Sequence, residues 1–192
     1  MKLLVGLGNY GSEYAATRHN VGFMVAERVA GRAGIALKKK GYMGHYGVGT
    51  VAAQQTTIIL PQTYMNRSGA CVQAACRGLD IDPVELLIAY DDLDLPFGRM
   101  KISQGGGHGG HNGIRDIIAA LDRRDFVRLR IGIGKPEHGD VTRHVLSRFN
   151  AAEQVGLERL LTAAAEAAEA VIGRGAARAM NEFNGYSLEE NL

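Results

Sequence analysis

Apolar and polar residues follow two spacings along this chain, and the two spacings alternate. Short runs of consecutive apolar residues predict buried strands, whereas apolar residues three or four positions apart predict amphipathic helices. The predicted strands are 2–7, 45–51, 56–60, 86–90, 99–103 and 127–133. The predicted helices are 21–33, 114–121, 151–172 and 176–183, with one more that begins at Asn66 or Ser68 and ends at Arg77. The alternation predicts an α/β fold in which helices cover both faces of a twisted mixed sheet with largely parallel strands.

Capping residues and glycines mark the ends of these elements. Side chains that accept a hydrogen bond from a free backbone N–H stand at the predicted helix starts, namely Asn20, Asn66 or Ser68, Asp82 and Asn112. Glycine follows two of the helices, at Gly34 and Gly78. Residues 105–113 are too rich in glycine for regular structure, so we expect a loop there.

The pattern indicates a single domain over residues 1–192. No linker or internal repeat divides the chain, and no apolar run approaches the ~20 residues of a membrane-spanning helix. The apolar run at residues 3–7 is followed at once by glycine, so we expect a first strand rather than a secretion signal. Cys71 and Cys76 fall on one predicted helix, which favours two buried thiols in a reducing cytoplasm over a disulfide or metal site.

The overall charge gives little indication of a partner, but its distribution is uneven. The formal net charge is only +2, which by itself does not indicate a nucleic-acid-binding protein. The stretch 95–150 nevertheless carries ten basic residues against five acidic ones. A basic surface contributed by this stretch is therefore expected.

A glycine motif follows the first strand. Residues 6–11 read Gly-Leu-Gly-Asn-Tyr-Gly and match the dinucleotide-binding fingerprint. That mechanism needs a helix to begin at the glycines, whereas the first predicted helix begins near Val21. The acidic ribose ligand is also missing, although Lys38-Lys39-Lys40 suits the extra phosphate of NADP. An NADP-dependent oxidoreductase is therefore the second functional hypothesis.

Polar side chains recur where predicted strands or the glycine loop end. They are Asn9 and His19 after the first strand, Asn66 after the third, Asp91 after the fourth, and His111 and Asn112 at the end of the loop. Ligands in open α/β sheets bind where the carboxyl ends of the strands meet. We therefore expect these side chains to share one crevice.

The residue types in this crevice favour activation of water. Imidazole titrates near neutral pH, a carboxylate fixes its tautomer, and amides can donate hydrogen bonds to a developing oxyanion. No Gly-x-Ser-x-Gly motif is present, and neither cysteine follows a strand, so no nucleophile is expected. Metal binding by His108 and His111 is the alternative, but glycine loops hold ligands loosely and no carboxylate has helical spacing to either. We expect no metal.

Several segments, in the same order along the chain, resemble the bacterial peptidyl-tRNA hydrolase family. They are Gly6-Leu7-Gly8-Asn9, residues 13–22 (EYAATRHNVG), 63–69 (TYMNRSG), 91–96 (DDLDLP), 105–113 (GGGHGGHNG) and 128–134 (RLRIGIG). The resemblance runs from Lys2 to about Asn184. It implies a cytoplasmic monomer without a cofactor that hydrolyses the ester between a peptide and the terminal ribose of tRNA.

The resemblance also implies roles for particular residues. His19 would be the general base that activates water, Asp91 would orient it, and Asn9 would distinguish a blocked amino group from a free one. The residues expected to bind the tRNA end or the adjacent peptide are Tyr14, Tyr64, Asn66 and Asn112, with Met65 and His111 lining the same cleft. Lys101 and Arg130 would face tRNA phosphates.

Three positions depart from the family pattern. Tyr10 replaces the usual proline after Asn9, Tyr90 stands where histidine often precedes the aspartate, and Ser103 stands where relatives carry a second lysine. Neither tyrosine removes a proposed catalytic group, whereas Ser103 lacks the positive charge expected to bind phosphate at that position. A third hypothesis is an RNA-binding module of the same fold without activity; the presence of His19 together with Asp91 disfavours it.

Overall fold

The computed structural model describes residues 1–136 and 138–188. Its strands are β1 (Lys2–Gly6), β2 (Lys39–Gly41), β3 (Gly44–Val51), β4 (Gln54–Pro61), β5 (Leu86–Asp92), β6 (Met100–Gln104) and β7 (Val127–Gly132). Its α-helices are α1 (Val21–Arg32), α2 (Ser68–Leu79), α3 (Asn112–Leu121), α4 (Val141–Val145), α5 (Ala151–Arg174) and α6 (Ala176–Phe183). Short 3-10 turns cover Arg18–Asn20, Met65–Arg67 and Pro83–Glu85.

The strands form one mixed sheet in the order β2-β3-β4-β1-β5-β7-β6. The four central strands, β4, β1, β5 and β7, are parallel. The strands on either side of them, β3 and β6, pair antiparallel with β4 and β7. The predicted mixed, largely parallel α/β sheet is therefore confirmed. The pattern missed β2 and α4, since each is short and mostly exposed and so has no apolar periodicity.

Helices cover both faces of the sheet, as the continuous apolar strands predicted. One core joins β1 residue Leu4 to α1 and α5, and the other joins Leu3 and Val5 to α2 and α3. Successive side chains of a strand point to opposite faces, so a strand buried on both sides has apolar residues at every position. In the part of the chain that the structure describes, no helix has the length and apolar character to cross a membrane.

Two glycines of the 6–11 motif, Gly6 and Gly8, allow close packing against the start of α1. A Cβ added to Gly6 would lie 2.3 Å from the carbonyl oxygen of Gly22, so α1 approaches β1 at backbone distance. The Phe23 N–H, in the first turn of α1, donates to the Leu7 carbonyl at 3.1 Å. A dinucleotide site would use such free amides for the pyrophosphate. Here the Leu7 carbonyl, just after β1, already accepts from one of these amides, the Phe23 N–H. This removes the structural basis of the oxidoreductase hypothesis.

Most of the predicted caps are wrong, although the helix starts are close. The Asn20 and Ser68 side chains do not cap, and Asn66 lies in the turn before α2. His111 rather than Asn112 caps α3, because its Nδ1 accepts from the Ile114 N–H at 3.2 Å. Only Asp82 caps as predicted, by accepting from Val84. Helix α2 also runs one residue beyond Gly78, and Asp80 takes the left-handed conformation after it.

Candidate active site

A cleft of about 790 Å³ opens at the carboxyl ends of the parallel strands. Its lining includes ten of the eleven residues singled out in the sequence, which are Asn9, His19, Tyr64, Met65, Asn66, Asp91, Lys101, His111, Asn112 and Arg130. Tyr14 does not line it; its carbonyl instead accepts from the Thr17 hydroxyl in the turn before His19. The six side chains expected from strand topology to share a crevice, Asn9, His19, Asn66, Asp91, His111 and Asn112, all line this cleft. Of the five residues that the resemblance added, four line it and Tyr14 does not.

His19 and Asp91 form a buried pair at the centre of this cleft. The His19 Nδ1 lies 2.9 Å from each carboxylate oxygen of Asp91. The histidine belongs to the 3-10 turn before α1, and the aspartate ends β5. Because the carboxylate accepts, Nδ1 carries the proton in the neutral ring, which leaves Nε2 as the basic nitrogen. The pair thus has the geometry of a general base with an orienting acid.

Asp91 also accepts a hydrogen bond from a second histidine. The His111 Nε2 lies 2.9 Å from Asp91 Oδ1, and the two imidazole rings are 5.2 Å apart. The His111 Nδ1 accepts from the Ile114 N–H, so the neutral ring carries its proton on Nε2 and donates it to Asp91. The helix cap therefore fixes the tautomer of His111.

The two histidines determine the charge state of Asp91. Burial by itself would raise the pKa of this carboxyl group, but the charges and hydrogen bonds of His19 and His111 outweigh it. The result is a pKa held well below the usual range of aspartate. A fully ionised carboxylate therefore faces His19 at neutral pH and can stabilise a positive charge that develops on its ring.

The same three side chains have the donor types of a metal site. One ligand atom from each of His19, Asp91 and His111 lies within 4.8 Å of the other two. No carboxylate has helical spacing to His111 in the sequence, but β5 brings the Asp91 carboxylate next to it. The nitrogen–oxygen distances of 2.9 Å are those of hydrogen bonds. Imidazole nitrogens and carboxylates also ligate zinc, so the set could bind a divalent ion if both protons were displaced.

Asn9 is fixed by hydrogen bonds on its backbone and its side chain. The Asn9 N–H donates to Asn20 Oδ1, and Asn20 Nδ2 donates to the Asn9 carbonyl, each at 2.9 Å. Its own side-chain oxygen accepts from the Met65 N–H at 2.8 Å. This network is the reason that Asn20 does not cap α1. It joins the ends of β1 and β4 beside His19.

The remaining amides and the aromatic residues lie at the rim of the cleft. Asn66 and Asn112 are exposed, and neither side chain caps a helix. The Asn112 oxygen accepts from the Arg115 guanidinium at 3.2 Å, which leaves its N–H₂ group to a ligand. The Tyr64 ring, 52% exposed, packs 5.0 Å from the Tyr10 ring. The unusual Tyr10 therefore extends the aromatic surface next to Asn9.

The basic residues lie on the other side of the His19–Asp91 pair. Lys101 on β6 is exposed and stands opposite Arg130 on β7. The Arg130 Nε donates to Asp92, which is part of the cleft wall. In the sheet order, β7 and β6 lie on one side of β5, and β1 and β4 lie on the other. A ligand that spans the cleft would therefore meet basic residues at one end and Asn9 with Tyr64 at the other.

Two arginines that the sequence did not single out support the site. Arg18 is buried, and it donates to Ser147 and Glu153 at 2.5 Å each, which ties the turn bearing His19 to the start of α5. Arg128 lies under the glycine-rich loop. Arg128 and Arg130 alternate with apolar residues in β7, a pattern typical of a strand with one solvent-facing side, so nothing in the local pattern indicates the burial of Arg128. Helix α4 adds an apolar wall to the cleft through Val141 and Val145.

Comparison with known proteins identifies the family. The Peptidyl-tRNA hydrolase family pattern matches residues 3–191. A peptidyl-tRNA hydrolase of Syntrophotalea carbinolica is 49% identical over 185 residues, which are 96% of this chain and 97% of that protein. One from Geotalea daltonii is 44% identical over 98% of both chains. The crystal structure of the Acinetobacter baumannii peptidyl-tRNA hydrolase superposes with a TM-score of 0.92 at 41% identity, covering 98% of this chain and 96% of that one.

The chain belongs to the peptidyl-tRNA hydrolase family. The resemblance found in separate sequence motifs thus extends over nearly the whole length. Membership confirms hydrolysis of peptidyl-tRNA as the family activity, and it removes the dinucleotide-dependent alternative. The three departures from the family pattern lie in or beside the cleft, where Tyr90 and Ser103 line the wall and Tyr10 packs on Tyr64.

Proposed function

We propose that this protein hydrolyses the ester bond between a peptide, or an N-blocked aminoacyl group, and the terminal ribose of tRNA. His19 activates the water, and no metal ion takes part. The single observation that carries this proposal is the buried His19–Asp91 pair, with Nδ1 held at 2.9 Å from the carboxylate. It directs the basic Nε2 away from Asp91, as a general base that acts on water requires.

The reaction follows from this geometry. Water bound at the His19 Nε2 gives its proton to that nitrogen while its oxygen attacks the ester carbonyl carbon. The tetrahedral intermediate then expels the ribose oxygen, which takes the proton back from Nε2. Asp91 remains ionised throughout and stabilises the imidazolium, as its lowered pKa permits. The products are tRNA with an intact terminal hydroxyl group and a peptide carboxylic acid, which releases its remaining proton to water and becomes a carboxylate.

The cleft residues around the pair bind the two halves of the substrate. Asn9, with its oxygen engaged by Met65, presents its amide N–H₂ to the carbonyl oxygen of the group that blocks the amino end of the aminoacyl residue. Asn66 and Asn112 position water and the tetrahedral oxygen, and Tyr64 and Met65 contact the tRNA end or the adjacent peptide. The Tyr14 carbonyl accepts from the Thr17 hydroxyl and so holds the turn that leads to His19.

The tRNA itself is bound through its phosphates. Lys101 and Arg130 supply positive charge at the β6–β7 side of the cleft. Phosphate contacts of this kind position a nucleic acid and do not read its sequence. We propose that the protein acts as a monomer in the cytoplasm, where it recycles peptidyl-tRNA released from ribosomes.

One experiment tests the activity directly. Purified protein is incubated with N-acetyl-aminoacyl-tRNA and, separately, with the same tRNA carrying an unblocked amino acid. Deacylation of the blocked substrate only is expected, and His19→Ala should lower turnover by about 10²–10⁴-fold with an unchanged melting temperature. Binding without deacylation would instead support an RNA-binding module, and a His19→Ala variant with wild-type turnover would refute the role of His19. Dialysis against a chelator before a metal-free assay should leave turnover unchanged.

A further inference from the structure

Arg128 on β7 is a buried arginine whose side chain supports the glycine loop, defined here as residues 105–110. The residue is only 2% exposed. Its Nη2 donates to the Gly106 carbonyl at 2.8 Å, its Nη1 donates to the Gly107 carbonyl, and its guanidinium lies 4.7 Å from the centre of the Phe126 ring. Burial of a cation is costly, and it lowers the pKa of this guanidinium. A buried arginine whose guanidinium donates hydrogen bonds to loop carbonyls therefore needs a functional explanation.

The glycine loop has few other attachments. A Cβ added at Gly107, Gly109 or Gly110 would contact nothing within 4 Å, so the loop does not pack against the protein there. Across residues 1–136 and 138–188, the hydrogen bonds that tie the loop to the rest of the sheet are those of Arg128 and one from the Gly105 N–H to Phe126. Glycine-rich backbone has high conformational freedom, so its shape depends on such bonds.

The far end of the loop delivers His111 to Asp91. The His111 N–H donates to the His108 carbonyl at 2.9 Å, and the Gly110 N–H donates to the His108 ring at 3.0 Å, which makes residues 108–111 a locally hydrogen-bonded turn. A shift at Gly107 is therefore passed on to His111. The His111–Asp91 hydrogen bond, at 2.9 Å, tolerates little displacement.

Tyr90 provides a second connection between Arg128 and His111. Its phenol lies close enough to the Arg128 guanidinium to interact with it electrostatically, and its ring packs edge-on against the His111 ring with centres 4.9 Å apart. This tyrosine is one of the departures from the family pattern. In this chain the guanidinium therefore reaches His111 both through the loop backbone and through an aromatic ring.

We propose that Arg128 is a positioning residue that holds the glycine loop in the conformation in which His111 meets Asp91. The inference rests on the proposed function, because it assigns a catalytic purpose to the His111–Asp91 contact. Arg128 lines the cleft, but its Nη1 and Nη2 donate to loop carbonyls, so we assign it no contact with the substrate ester. It acts on the reaction through His111, and the Tyr90 contact makes the same link through a side chain.

The kinetic test compares Arg128→Met with Arg124→Met. Each variant loses one positive charge, and the two positions are four residues apart in the sequence. The Arg124 side chain, unlike that of Arg128, is exposed. We expect Arg128→Met to lower kcat by about 10²-fold, the cost of a displacement of about 1 Å in an active site. The loss should be equal on full-length tRNA and on a minimal aminoacyl-nucleotide ester, with KM little changed. Arg124→Met should keep the wild-type kcat. A loss confined to full-length tRNA would make Arg128 a phosphate contact and overturn the proposal.

A double-mutant cycle separates positioning from a general folding defect. In the His111→Ala background, Arg128→Met should cost much less than in the wild type, because the contact that Arg128 supports is already gone. A general folding defect would act independently of His111, so the fold-losses in kcat of the two single variants would multiply in the double variant. That result, which corresponds to additive free energies, would overturn the proposal. If Arg128→Met does not fold, Arg128→Lys serves in its place, because an ammonium group keeps the charge and lacks the planar fork.

Hydrogen exchange tests whether Arg128 holds the glycine loop in place, and this measurement does not depend on catalysis. Amides of residues 105–111 should exchange faster in Arg128→Met, while those of β5 stay as protected as in the wild type. Unchanged exchange of the loop amides would show that Arg128 does not hold the loop. Wild-type protein that fails to deacylate the blocked substrate would refute the proposed function instead, and the exchange result would still decide whether Arg128 holds the loop.

Discussion

The side-chain oxygen of Asn9 accepts a hydrogen bond from the backbone N–H of Met65 at 2.8 Å, across 56 positions of sequence. This bond decides which end of the amide faces the cleft. With the oxygen engaged, the N–H₂ group is left to donate to a ligand. The bond also links the end of β1 to the turn that follows β4, so Asn9 supports the fold as well as the proposed recognition of the blocked amino group.

The two functions of Asn9 can be separated by substitution. Asn9→Asp keeps an acceptor for the Met65 N–H but replaces the donor with a negative charge, so the melting temperature should stay near that of the wild type. Its kcat/KM on N-acetyl-aminoacyl-tRNA should fall at least about tenfold, the cost of leaving a polar group unpaired. Asn9→Ala loses both functions, and denaturant unfolding should show a loss of about 1–3 kcal/mol. Wild-type kcat/KM in Asn9→Asp would show that the amide donor has no role.

Replacement of Asp91 by asparagine should affect turnover more than affinity. Asp91→Asn can hold the His19 ring in the wrong tautomer and cannot stabilise imidazolium, so kcat should fall by up to about 10⁴-fold with KM nearly unchanged. Steady-state kinetics on N-acetyl-aminoacyl-tRNA measure both quantities. A small change in kcat with a large rise in KM would place Asp91 in binding instead.

The same variant gives a signed prediction for pH dependence. The Asp91 carboxylate is ionised well below neutral pH, because His19 and His111 hold its pKa below the usual range against the effect of burial. Loss of this anion destabilises the imidazolium form of His19 relative to its neutral form. The acidic limb of the kcat/KM profile should therefore move to lower pH in Asp91→Asn. A shift to higher pH would contradict a direct His19–Asp91 pair.

The basic residues should act on tRNA binding and not on ester hydrolysis. Lys101→Met or Arg130→Gln should weaken binding of full-length peptidyl-tRNA and flatten the slope of log affinity against log salt by up to about one unit. Hydrolysis of a minimal aminoacyl-nucleotide ester should stay unchanged, because that substrate has no distant phosphates. Lys40→Met on β2, at the opposite edge of the sheet, is the matched control. Equal losses on both substrates would place Lys101 or Arg130 at the catalytic centre.

The two cysteines should be chemically inert in the folded protein. Burial in the core raises the pKa of Cys71 to about 12 and that of Cys76 to about 11. Thiolate is the reactive form, so a disulfide reagent at pH 8 should titrate neither thiol until denaturant is added, and then both. Activity should persist after treatment with an alkylating reagent. Rapid loss of activity on alkylation would contradict a mechanism that uses only water.

The spacing of apolar residues was sufficient to predict the secondary structure that forms the core. Strands buried on both faces are apolar at every position, and this requirement is visible locally. The order of elements also predicted that Asn9, His19 and Asp91 would meet, because the carboxyl ends of parallel strands lie at one edge of the sheet. The short, exposed β2 and α4 could not be predicted, since neither buries enough apolar surface to impose a pattern.

Tertiary structure decided how the side chains are used. Asn20 and Asn112 stand at helix starts and suit capping, but Asn20 instead bonds to the Asn9 backbone and His111 takes the cap of α3. The glycines at positions 6 and 22 permit close packing of α1 on β1, although the motif suits a nucleotide equally well. Arg128 reaches the glycine loop only because β7 lies next to β6 in the sheet. Local sequence determines the apolar periodicity and the turns. The hydrogen bonds of His111 and His19 to Asp91 span 20 and 72 positions, so they depend on strand order and register.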